Sequence, residues 1–174
     1  MRKSSIQNMP EYFDRYINLA DDVDHLDALR VGLLELESIP LDRWKSLGDA
    51  VYATGKWTLK DILQHCTDTE RVFAYRALCF ARGDQQKLNT YEEDDYAISA
   101  KASNRSWESL MEEAILVRKS SIALFDSFSE EMLQQSGIGM NNICYSALSI
   151  AFMIPGHQRW HFKVIEERYL PLLK

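Results

Sequence analysis

Four stretches of this chain repeat apolar residues at every third or fourth position, and none alternates them at every second. The first spacing lays a stripe along one side of a helix, whereas the second would line one face of a strand. A chain so patterned must bury its stripes helix against helix, so the fold class is all-α, a four-helix bundle. Leu26, Leu29, Leu33 and Leu36 mark a helix from about Asp24 to Ser38, stopped by Pro40. Leu59, Ile62, Cys66, Val72, Phe73 and Phe80 mark a second, from about Thr58 to Arg82. Thr58 is placed to cap it, Asp61 suits the positive end of its dipole, and Gly83 ends it. Trp107, Leu110, Met111, Ala114, Val117, Ser121 and Phe125 define a third, from Ser106 to Phe128. Ile150, Ala151, Ile154, Val164 and Ile165 define the fourth, from Tyr145 to Tyr169.

The remaining segments connect these helices. Pro10 opens a short amphipathic piece, and residues 41–57 read as irregular around Gly48 and Gly55. Residues 84–105 form a polar connection, long for a helix pair, with a helical turn around Asp94–Ile98. Connections of this length are often functional loops or crossovers. Gly137 and Gly139 mark the last break. At 174 residues, one domain over positions 1–174 is expected.

The chain carries a net charge of −6, which disfavours a nucleic-acid or anionic-membrane partner, since both demand a basic face. Neither a secretory signal nor a membrane span is visible. Cys66, Cys79 and Cys144 lie among apolar residues and read as reduced core thiols, so a cytoplasmic location is expected.

Chemistry enters with the histidines. His157 and His161 stand at i and i+4 on the line Ile150–Ile154–His157–His161–Val164. His65 stands on the line Ile62–His65–Thr69–Val72 of another helix. All three therefore point inward, as metal ligands do in helix bundles. Three imidazoles leave part of a metal's coordination sphere open, the mark of a catalytic rather than a structural site. An all-nitrogen set suits Zn, Ni, Cu, Co or Fe; zinc or nickel is expected. His25 lacks a partner at ligand spacing and reads as a surface residue. Cys66, beside His65 in sequence, points elsewhere around the helix. Arg76 lies eleven residues after His65 on the same side, and Arg118 lies on the third stripe. Each either pairs with a carboxylate such as Glu70, Glu112 or Glu166, or recognises an anion above the metal. Asp61 and Asp68, one turn either side of His65, either orient it or face water.

These residues carry a resemblance. The stretch from Tyr52 to His65, with Trp57 and Thr58 at its centre, resembles the opening of the second helix in the DinB-like family of damage-inducible proteins. The run Asp68-Thr69-Glu70-Arg71 and the closing Gly156-His157, His161 and Glu166–Leu170 are similar to that family's corresponding segments. The likeness covers nearly the whole chain from about residue 12. It implies a four-helix bundle, often a homodimer, holding one divalent metal on His65, His157 and His161. It also implies an enzyme acting on small molecules, since relatives include transferases and an isomerase that use a low-molecular-weight thiol. Arg76 would then steer an anionic group. A metal-dependent hydrolase, and a stress-induced metal-binding protein without catalysis, are the alternatives.

Two positions depart from the family pattern. Gln158 stands where a glutamate is common and Trp160 where a histidine is common. An amide cannot take up a proton at neutral pH, so Gln158 disfavours base-assisted hydrolysis. Pro155, inside the last helix, predicts a kink one turn before the ligands, eased by Gly156.

Overall fold

The computed structural model describes residues 1–84 and 86–173. Its helices are α1 (Asp14–Ile17), α2 (His25–Glu37), α3 (Leu41–Lys45), α4 (Leu59–Ala81), α5 (Glu93–Ala100), α6 (Trp107–Asp126), α7 (Glu130–Gln134) and α8 (Ala147–Val164). The four longest, α2, α4, α6 and α8, are the four stripes of the sequence. Their starts are chemically marked. Thr58 and Asp61 form a reciprocal capping box at α4, and the Ser106 and Ser146 side chains accept from the backbone N–H of Ser109 and Ser149. Gly83 closes α4 at a φ of 75°, a left-handed conformation that glycine adopts without strain.

Packing decides what the stripes leave open. Helices α2 and α4 each pack against both α6 and α8, so the sequence neighbours α2 and α4 are diagonal in the bundle. The core divides into two apolar clusters. One gathers Phe13, Phe73, Phe80, Phe125, Tyr145 and Phe152; the other gathers Leu36, Trp44, Leu59, Leu63, Trp107 and Ile165. Between them runs a polar waist that contains His65, Thr69, Glu70, Arg118, His157 and Gln158, all buried.

Several connections are more ordered than their sequence suggests. The 41–57 stretch holds the short α3, and the turn expected near Asp94 is the eight-residue α5. A small antiparallel pair, β1 (Ser136–Ile138) and β2 (Cys144–Ser146), forms where no strand was expected. Three-residue strands are too short to register as alternation. Gly137 seats its backbone against the Phe80 ring, where a Cβ would collide. Cys144 lies on β2 and is exposed, so the core-thiol expectation fails for it and holds for Cys66 and Cys79.

Helix α8 stays helical through Pro155 and passes into a π-helical segment, Ile165–Tyr169. Gly156 has a definite task. A Cβ there would collide with the Tyr16 carbonyl, so its absence lets the chain around α1 lie directly on α8. Among the described residues no helix is long and apolar enough to cross a membrane.

Candidate metal centre

The structure brings the three inward histidines together. His65 on α4 and His157 and His161 on α8 offer ring nitrogens that all lie within 4.8 Å of one another. The Nε2 atoms of His65 and His157 are 3.2 Å apart, and those of His161 and His157 are 3.1 Å apart. Two nitrogens each about 2.05 Å from a tetrahedral ion stand about 3.3 Å apart, so these spacings suit a shared cation. The alternative, a hydrogen-bonded trio, is poorly served. His157 Nε2 faces two other Nε2 atoms, and one ring nitrogen cannot be both donor and acceptor in the same tautomer. The donor set therefore fits a divalent ion of the nitrogen-binding kind.

The imidazoles are held neutral, as ligation requires. Burial, with the neighbouring His161 charge adding to it, pushes the His65 pKa down to about 3. Burial alone pushes His161 down to about 4, and burial drives His157 well below the ordinary histidine value. Behind His65, the Thr69 hydroxyl lies 3.5 Å from Nδ1 and shares a 2.6 Å hydrogen bond with the Tyr91 hydroxyl. A proton on Nδ1 directed at Thr69 leaves Nε2 as the lone pair facing the cluster.

Aromatic rings pack around the imidazoles. Trp57 lies tilted 4.6 Å from His65 and stacked 6.4 Å from His161, and its indole N–H donates to Asp94 at 3.1 Å. Tyr16 meets His157 edge-on at 5.0 Å, the contact that the backbone approach at Gly156 permits. One side stays open. A cleft of about 310 Å³ reaches His161, walled by Tyr52, Trp57, Ile62 and Tyr169, with Lys56 and Asp94 among its charged lining.

The neighbouring polar residues do other work. Arg118 grips both oxygens of Glu70, at 2.9 and 3.0 Å, and donates to the Gln158 side-chain oxygen at 2.9 Å. The Gln158 amide donates to the Gly32 carbonyl and to Glu35. Gln158 is thus a knot between α8, α6 and α2. Of the two expectations for Arg118, carboxylate pairing is the one realised. Asp61 is consumed by the capping box, and Asp68 pairs with Gln64 and Arg71; among the described residues neither carboxylate hydrogen-bonds to the His65 ring. Cys66 is buried beside Glu70 and Arg118, and burial pushes its thiol pKa up. Arg76 is buried, donates to the Asn89 carbonyl, and does not line the cleft at His161.

His25 corrects the surface reading. It is 7% exposed, with Nδ1 3.0 Å from the Met1 amine, and burial lowers its pKa. The N-terminal segment that covers it comes from outside the helix, so helical spacing could not reveal the burial. Trp57, Asp94, Tyr91 and Tyr16 join the site from segments outside the two histidine helices. Only Thr69, at i+4 from His65, had a positional signal.

Fold and site together define a helical bundle with an all-nitrogen candidate metal centre at its waist. The family model of the DinB superfamily matches residues 23–165, and the chain belongs to that superfamily. No curated protein matches it in sequence. Among solved structures it is similar to YfiT from Bacillus subtilis, with a TM-score of 0.69 at 14% identity over 93% of this chain and 88% of that one. That protein is described as "a probable metal-dependent hydrolase with an unusual four-helix bundle topology".

Proposed function

We propose that this chain is a metal-dependent enzyme that transfers a low-molecular-weight thiol to small electrophiles bound in the cleft at His161. The observation that carries the reading is the convergence of three neutral imidazoles beside an open cleft. His65, His157 and His161 would hold one divalent ion, with zinc and nickel the first candidates. A bound ion of this kind lowers the pKa of a thiol or water that it coordinates. The chain's own residues then orient the reactants. Trp57 and Tyr52 wall the cleft, and Lys56 offers a cation to an acidic end of the thiol. Among the described residues no carboxylate hydrogen-bonds to the three imidazoles, and the Gln158 amide is fully engaged elsewhere. Thiol transfer suits such a site because a coordinated sulfur needs no separate base.

One observation favours a second reading, metal-dependent hydrolysis. Asp94 lines the cleft, held there by Trp57, and a carboxylate so placed could accept a proton from water. The description of YfiT points the same way. Metal-binding without catalysis has less support, because it needs no cleft at His161. We also propose a homodimer, to which Leu34 on α2 and Leu116 on α6 offer exposed apolar side chains.

The test is a pair of variants assayed with and without thiol on metal-loaded protein. His161→Ala should lose both the metal, by elemental analysis, and the activity. Asp94→Asn should leave thiol transfer intact. Turnover without any thiol, abolished by Asp94→Asn, would replace the first reading with the second. Full activity in metal-free protein would overturn both.

A further inference from the structure

Arg76 is as deeply buried as Arg118, yet the two are treated differently. Arg118 is held by a bidentate carboxylate. Arg76 is 2% exposed, and among the described residues its guanidinium donates to the Asn89 carbonyl at 3.0 Å and pairs with no carboxylate. A guanidinium has five N–H donors and keeps its charge, so burial with neutral partners alone is costly unless an anion joins it. The buried Tyr145 hydroxyl lies close enough to feel its charge, but a neutral hydroxyl cannot balance it.

Arg76 forms part of the wall of a groove of about 520 Å³ between α4, the segment at 86–91 and Tyr96 of α5. This volume lies within the ordinary range for small-molecule sites. The groove shares no lining residue with the cleft at His161. Its charged lining is Arg71, Arg76 and Lys87, with no aspartate or glutamate, in a chain of net charge −6. Arg71 is already engaged by Asp68 and Glu113, so Arg76 and Lys87 remain to meet a ligand. Tyr75, Tyr91 and Tyr96 supply aromatic walls, and the last two rings lie 4.8 Å apart.

We propose that this groove is a second binding site, for a small aromatic anion. Arg76 grips the anionic group through its free N–H donors, Lys87 adds charge, and the tyrosines pack against the ring.

The test is calorimetric titration of the purified protein with phenyl phosphate, and separately with phenol and inorganic phosphate, the two halves of that probe. Phenyl phosphate should bind saturably at one site, at least about tenfold tighter than either half. Lys87→Glu should weaken it at least about tenfold. Arg76→Gln should abolish it, with circular dichroism confirming the fold; if that variant does not fold, Lys87→Glu decides. His161→Ala should leave it unchanged, which separates this site from the metal centre. Absence of saturable binding, wild-type affinity in Lys87→Glu, inorganic phosphate binding as tightly as phenyl phosphate, or loss of binding in His161→Ala would each overturn the assignment.

Discussion

The waist of the bundle holds two polar clusters side by side, and they are built on opposite terms. In the Glu70–Arg118–Gln158 cluster every charge has its counterpart: two carboxylate oxygens meet a guanidinium, and the amide is satisfied at both ends. In the His65–His157–His161 cluster three Nε2 atoms face one another, and among the described residues no other hydrogen-bond partner meets them. His157 and Gln158 are adjacent in sequence, yet the turn of the helix sends one to each cluster. A buried group set that is complete holds the fold. One that is incomplete, beside a cleft, is a place for a ligand.

The largest effect should come from breaking the complete cluster. Arg118→Ala leaves the Glu70 carboxylate buried without its partner and should cost about 3–5 kcal/mol in a urea melt. A loss within experimental error would mean that water reaches this pair. Gln158→Glu removes the donor to the Gly32 carbonyl and sets a carboxylate beside Glu35 and Glu70, for an expected loss of about 1–3 kcal/mol. It should restore no general base at the metal centre, because position 158 faces Arg118 rather than the imidazoles. A gain in thiol-independent hydrolysis would contradict that placement.

The incomplete cluster should respond to pH in the metal-free protein. Unfolded, an imidazole titrates near 6.5, while in the folded chain burial holds His65 at about 3 and His161 at about 4. As pH falls below the unfolded value, the unfolded chain takes up protons that the folded chain refuses. Stability is therefore complete above about pH 6.5 and declines toward pH 4. Urea midpoints at pH 7 and pH 5 check this, and His161→Ala should flatten the slope. The smallest stability effect is that of His161→Ala itself at pH 7, expected to be under about 1 kcal/mol in metal-free protein, since a partly exposed ring leaves and no partner is stranded. The same variant should lose the metal, so the two clusters separate cleanly into one that folds the chain and one that binds.

Much of this was legible in the sequence because helical spacing is local. The four stripes, the Thr58, Ser106 and Gly83 punctuation, and the inward direction of His65, His157 and His161 follow from turning residues about one axis. The short hairpin at 136–146 was not legible, since three residues per strand carry no period. Nor was the burial of His25, which depends on the N-terminal segment folding back over it. The glycine at 156 suggested flexibility; the structure gives it a steric purpose, contact with the Tyr16 backbone.

What the sequence determined alone was the fold class, the four long helices and the inward direction of His65, His157 and His161. Tertiary packing decided the rest. It set α2 and α4 on a diagonal, brought Trp57 and Asp94 to the cleft at His161, and sent Arg118 to a carboxylate while leaving Arg76 without one among the described residues. The physical reason is range. A helix fixes directions within a turn or two, but which side chains meet, and which charges are answered, depends on residues far apart in the chain that only the packed bundle brings into contact.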